Sequence, residues 1–294
     1  MTTIDATLRH ALEISGPDLI LTLDPALQGL PETAHGGSVL AVFDTLSGAT
    51  APREVSGLYR RRVPLSVPLT LVRARDNSAD TFALSDQAGA VLVEGRVAPL
   101  TTDAAGDALS RAGGGGAAPR EPVLSGSTQC AYPLPISRTC FACGADNEIG
   151  LRARLAFDAD TVCATWQPRA PFRQADGTLA PAALTTLLDE AAFWLGALAT
   201  GESGMTTELR VALHRAAPFE APVTVSGARA SVRPREDDAR YQETEIVARA
   251  GDQVVATAGI TFVVVRGAAR RLVSGMLAIN DPESVRRVFP AYTR

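Results

Sequence analysis

Apolar positions recur with a helical period in two stretches of the chain, 37–50 and 182–199, and alternate with polar positions in the segments after each. A period of 3.6 marks a helix packed on a core, and a period of 2 marks strands with one buried face. Strands are predicted near 55–63, 67–75, 80–86 and 90–98 after the first helix, and near 206–214, 222–231, 240–249 and 253–265 after the second. A strand-like segment also precedes each helix, at 19–23 and 152–157. One helix followed by hairpin-linked strands builds an antiparallel sheet with the helix on one face, an α+β arrangement.

The elements repeat because the sequence repeats. HGGSVLAVFD (35–44) aligns without gaps with APAALTTLLD (180–189), RVPLSVPLTLVRA (62–74) with AAPFEAPVTVSGA (216–228), and VLVEGRV (91–97) with VVATAGI (254–260). Asp44 falls on Asp189, Pro64 on Pro218 and Pro68 on Pro222, while the offset between copies grows by nine residues twice, as loop insertions do. Three matches in one order indicate a duplication. Between the copies, TTDAAGDALSRAGGGGAAPREP (101–122) is small, polar and rich in Gly and Pro, the composition of a linker. The expected organisation is a module at 1–100, a linker at 101–126, a second module at 127–268 and a tail at 269–294. In the tail, Asn280-Asp281-Pro282-Glu283 reads as a helix start. It predicts one short helix docked on the outside, away from any site.

Composition narrows the class. Hydrophobic residues at 46% with 20% charged residues place the chain among globular rather than disordered proteins. A net charge of -4 offers no basic excess to release phosphate counterions, so no nucleic-acid partner is expected. The 28 basic residues are all Arg and are scattered. The N-terminal MTTIDATLRHALEISG lacks the cationic start and apolar core of a secretion signal, and no run of 18 apolar residues predicts a membrane span. The expected setting is a reducing cytoplasm with no membrane partner. Four Cys in 294 residues do not make a disulfide framework.

Residues 34–44 pose a chemical question. Gly36 and Gly37 weaken the helix they begin, and Asp44 beside an apolar stripe is costly to desolvate. On a helical wheel Asp44 and Asp189 sit roughly 120° from the centre of the stripe, where water could still reach them. A helix N-terminus presents unpaired N–H groups and the positive end of its dipole. Glycines there would let a carbonyl approach, and a nearby carboxylate could act as nucleophile or general base.

HGG, six residues and then Asp in a long helix, together with TTELRVALHRAAPFEAPVTVSG (206–227) and CFACGADNEIGLRARLAF (140–157), resembles the hotdog-fold thioesterases of the phenylacetate-pathway type. The resemblance implies two hotdog modules, each an antiparallel sheet wrapped around a long central helix, fused in place of the family's usual dimer. It implies as substrate an acyl thioester of coenzyme A or of an acyl-carrier protein, with a homo-oligomer of the fused pseudo-dimer as the other candidate partner. It implies no cofactor. Gly36 and Gly37 become oxyanion donors, Asp189 and Asp44 catalytic carboxylates, His35 a positioning residue, and Phe193 with Trp194 the wall of an acyl tunnel. In the resembling enzymes donor and carboxylate come from opposite subunits. Gly36 and Gly37 would then pair with Asp189, and Asp44 with Pro181 and Ala182. Proline has no N–H, so one working site per chain is expected.

Other candidates carry less. Cys140-x-x-Cys143 is half of a zinc site, but Cys130 and Cys163, the latter in the strand-like TVCATW, supply no second pair, so no metal is expected. Asp5 and His10 match a hydratase spacing but precede the fold. Trp166 reads as core. No nucleophile elbow, phosphate loop or dinucleotide fingerprint occurs. Two readings follow. Retention of Asp189 in the second copy favours a thioesterase. The degenerate Ala180-Pro181-Ala182 favours a non-catalytic acyl-thioester-binding or scaffold protein. A dehydratase comes third, for want of a placed His.

Overall fold

The computed structural model describes residues 3–15, 18–100 and 130–293; the expected linker lies outside the described residues. Among them, fourteen strands form one antiparallel sheet. The first copy contributes β1 (Leu12–Ser15), β2 (Asp18–Leu21), β3 (Arg53–Tyr59), β4 (Leu69–Asp76), β5 (Ala79–Ser85) and β6 (Val91–Pro99). The second contributes β7 (Tyr132–Pro133), β8 (Ala156–Phe157), β9 (Thr161–Trp166), β10 (Gly204–Leu213), β11 (Val223–Ala228), β12 (Arg233–Pro234), β13 (Tyr241–Ala250) and β14 (Gln253–Val264). Outward from the junction the order is β3-β6-β5-β4-β2 on one side and β10-β14-β13-β11-β9 on the other. The same strand order thus recurs on both sides of the junction. The copies join edge to edge where β3 pairs β10, from Leu58 opposite Glu208 to Arg53 opposite Leu213. That pairing removes the two edges that isolated copies would expose.

Two long helices, α2 (Gly36–Ser47) and α3 (Pro181–Thr200), lie side by side against this sheet, after a short N-terminal α1 (Ile4–His10). Both stop at a glycine in the left-handed region, Gly48 at φ 65° and Gly201 at φ 66°, where other residues pay a steric penalty. Val39, Leu40, Val42 and Phe43 of α2 are fully buried, each contributing about 1.5–3 kcal/mol as an upper range. In α3 every side chain from Ala182 to Ala192 is buried. α3 is long and apolar enough to cross a membrane, but 83% of its apolar window is buried inside the protein, as for a core helix. Sheet on one side and sister helix on the other leave no wet face, so Asp44 and Asp189 are buried rather than near solvent.

Several elements depart from the predicted pattern. The strand expected at 152–157 shrinks to β8, and β9 takes the place equivalent to β2, pairing β11 as β2 pairs β4. Cys163 of β9 is disulfide-bonded to Cys130, whereas Cys140 and Cys143 are free thiols. The tail folds as two helices, α4 (Ala269–Leu277) and α5 (Pro282–Val288). Asp281 caps α5 by accepting from Ser284 N–H at 3.0 Å. Helix α1 belongs to the fold, with Ile4 and Leu8 buried and Asp5 accepting from Gln174 Nε2 at 2.9 Å.

Candidate functional site

The N-terminus of α2 meets the middle of α3. Gly37 N–H donates to Asp189 Oδ2 at 2.9 Å, and Thr206 Oγ1 of β10 donates to Asp189 Oδ1 at 2.7 Å. Thr185 Oγ1 of α3 donates to Gly37 O at 2.9 Å. A carboxylate thus sits on the positive end of the other copy's helix, the placement that a buried anion needs. The glycines serve this contact. A Cβ at Gly37 would lie 2.5 Å from Thr185 O and 2.6 Å from Thr186 Cα, and one at Gly36 would lie 2.7 Å from Asp189 Oδ2. They make room for α3 and its carboxylate. The expectation that both admit a substrate carbonyl is corrected for Gly37, whose N–H is taken by Asp189. Gly36 N–H has no acceptor among the described residues, and Tyr59 OH fixes the Gly36 peptide by donating to its carbonyl at 2.6 Å.

Glu190, next to Asp189, is also buried and faces the same place. His35, the residue just before α2, lies between the two carboxylates, with Nδ1 3.2 Å from Asp189 Oδ2 and Nε2 3.4 Å from Glu190 Oε2. Burial works against charge on the imidazole, but the hydrogen bond to Glu190 and the Asp189 charge outweigh it, raising the pKa to about 9. At neutral pH both ring nitrogens then carry protons. Nδ1, 3.2 Å from Gly37 N, therefore does not accept from it, and that N–H goes to Asp189 alone. Burial pushes the Glu190 carboxyl up, but His35, Cys143 and Trp194 outweigh it and hold it below its ordinary value. Burial, and then the Asp189 charge, raise the Tyr59 hydroxyl well above its ordinary value, so it stays a donor. Cys140 Sγ approaches Glu190 Oε2 at 3.9 Å, and Trp194 Nε1 donates to Glu190 Oε1 at 2.9 Å.

These groups line a cavity of about 910 Å³ between the copies. His35, Gly36, Asp189 and Phe193 line it, as does Glu190. Phe193 meets Trp194 and Phe262 edge-on, at centroid distances of 5.1 and 5.8 Å. Arg271, Leu272, Gly275 and Met276 of α4 complete part of the wall, so the tail is not confined to the outside. Asn280 ties it to the second copy, accepting from Ile136 N at 2.8 Å and donating to Ile136 O at 2.9 Å.

Asp44 is not brought to this cavity. Both its oxygens are held by Arg53 of β3, Nε to Oδ1 at 2.5 Å and Nη2 to Oδ2 at 2.6 Å. The pair is buried and bidentate, a structural arrangement that corrects Asp44 as a catalytic candidate. Pro181 and Ala182 do not line the cavity either. Glu190, Thr206, Tyr59 and Cys140 were not singled out for this role in the sequence. Only the adjacent Asp189-Glu190 in an otherwise apolar helix signalled a polar cluster.

No protein-family profile and no curated protein matches the chain. Solved structures do. A thioesterase II candidate from Thermobifida fusca YX superposes with a TM-score of 0.61 at 16% identity, covering 90% of this chain and 100% of that one. The tesB protein of Mycobacterium avium subsp. paratuberculosis does so with 0.56 at 13%, covering 89% and 98%. A protein of unknown function with a hot dog fold from Alicyclobacillus acidocaldarius gives 0.55 at 12%, covering 89% and 97%. At such identities the likeness speaks to architecture. The chain has the hotdog fold in its double form, two sheet-and-helix copies in one polypeptide sharing one continuous sheet.

Proposed function

We propose that the protein hydrolyses an acyl thioester, of coenzyme A or of an acyl-carrier protein, at the junction of α2 and α3. The observation that carries this reading is the pairing of Asp189 with an unoccupied Gly36 N–H on the wall of one cavity. Asp189 takes a proton from a water as the water oxygen bonds to the thioester carbon. Gly36 N–H, at the positive end of α2, receives the developing oxyanion, a contribution of about 3–4 kcal/mol per donor in comparable sites. The C–S bond then breaks, the thiolate leaves, and the proton returns to it from Asp189. Water and thioester become acid and thiol. Tyr59 and Thr206 are positioning residues, one holding the Gly36 peptide and the other Asp189.

The cavity supports a long substrate. About 910 Å³ lies at the upper end of small-molecule sites. Phe193, Met205 and Met276 offer apolar wall for an acyl group. Arg61, Arg62 and Arg271 line it with exposed cationic side chains, suited to the phosphates of either carrier. The T. fusca structure, named as a thioesterase II, supports this reading. A panel of short, long and aromatic acyl-CoA and acyl-carrier substrates, followed with a thiol-detecting reagent, tests it. Thiol release with at least one acyl class is the expected result. Binding without release across the panel would favour an acyl-thioester-binding protein instead.

A further inference from the structure

One cysteine of the sequence's Cys-x-x-Cys pair gains ligand-type neighbours through the fold. His35, Cys140 and Glu190 lie 50 or more residues apart in the chain, yet His35 Nδ1 or Nε2, Cys140 Sγ and a Glu190 carboxylate oxygen all fall within 4.8 Å of one another. We propose that these three residues form a binding site for a borderline-soft divalent cation, zinc foremost, in the floor of the cavity beside Asp189.

Distances come first. His35 Nε2 is 3.4 Å from Glu190 Oε2, and Cys140 Sγ is 3.9 Å from the same oxygen. Tetrahedral zinc, with bonds of about 2.0–2.3 Å, sets its ligand atoms about 3.3–3.6 Å apart. Closing the cluster onto an ion thus needs shifts of a few tenths of an ångström along these edges. The donor chemistry comes second. A set of nitrogen, sulfur and carboxylate oxygen suits zinc and disfavours magnesium and calcium, which take oxygen. The three donors leave the fourth tetrahedral position open.

The surroundings are built for ligation. Ala142 N–H points at Cys140 Sγ at 3.3 Å, a bond that favours the thiolate a metal needs. The loop around it is fixed: Asn147 Nδ2 donates to Thr139 O at 3.0 Å and to Ala26 O at 2.7 Å. Trp194 occupies Glu190 Oε1, leaving Oε2 to face the cluster. His35 turns Nε2 to the cluster and Nδ1 to Asp189 Oδ2 at 3.2 Å, the carboxylate–histidine arrangement that orients metal-bound imidazoles. All three side chains are more than nine-tenths buried. An ion there would displace the protons of His35 Nε2 and the Cys140 thiol to water and tie α2, the loop at Cys140 and α3 together.

The inference is independent of thioester hydrolysis and is tested without turnover. The full-length protein, stripped by a chelator and freed of it, is titrated with cobalt(II) alone and then with zinc(II) alone. One equivalent of cobalt should bind with a thiolate-to-cobalt charge-transfer band, and zinc should abolish the band stoichiometrically. The double variant Cys130→Ser/Cys163→Ser should keep the band, and Cys140→Ser should lose it. Circular dichroism checks that each variant is folded. Glu190→Gln, which leaves both thiols in place, should weaken cobalt at least about tenfold. A wild-type protein that binds no cobalt, or a charge-transfer band that survives Cys140→Ser, would overturn the proposal.

Discussion

Asp44 and Asp189 occupy the same turn of equivalent helices, and their neighbours give them different work. Each looks to the strand after its own helix, Asp44 to Arg53 on β3 and Asp189 to Thr206 on β10. The neutral hydroxyl leaves Asp189 its charge and its contact with Gly37 N–H, while the guanidinium occupies both Asp44 oxygens. Removing one partner of such a buried pair leaves the other charge unpaired, at a cost of about 3–5 kcal/mol. Arg53→Met should therefore lose that much stability in urea unfolding, and Asp44→Leu/Arg53→Met should regain most of it. A loss below about 1 kcal/mol for the single variant would place the pair in water. Nothing local in the sequence pairs residue 44 with residue 53, nor His35 with Cys140 and Glu190. Those partnerships are long-range products of the fold, which is why the wheel left both aspartates a wet side and the cysteines a missing half.

At the scale of elements, what could be read in advance was whatever periodicity controls. The eight hairpin strands fell close to their predicted places because each alternates and ends near a turn residue, such as Gly89 or Gly251. Helix α4 escaped notice because it starts after Ala268, which offers no capping side chain, whereas the strand-like TVCATW did become β9. The crossing of α2 on α3 was hidden as well. The glycine pair suggested space for a ligand, whereas the space is filled by the Thr185–Thr186 backbone and the Asp189 carboxylate. Gly37→Ala should force the helices apart, an overpacking cost of about 1–3 kcal/mol that would lower the thermal midpoint of a chain this long by roughly 2–6 °C. Gly259→Ala, at a strand position where an added Cβ meets nothing within 4 Å, is the control and should shift it little. Equal midpoints for the two variants would mean that α2 and α3 are not this close.

For the whole molecule, the two halves share one plan and depart from it at the site. Each half contributes a run of strands to one sheet, a core helix and a glycine stop at that helix's end. Proline at 181 has no N–H, and Arg53 holds the aspartate that a second site would have used. The chain keeps one cavity in which a helix N-terminus from the first copy meets a carboxylate from the second. That single composite site is the central claim, and comparing Asp189→Asn with Asp44→Asn tests it most directly. The measurement is kcat per folded molecule on the best thioester from the substrate panel. Asp189→Asn keeps the size of the side chain and removes the base, so kcat should fall by about 10²–10⁴-fold. Asp44→Asn should lower stability while kcat per folded molecule stays within a few-fold. Loss of turnover in Asp44→Asn with Asp189→Asn nearly unaffected would contradict the account.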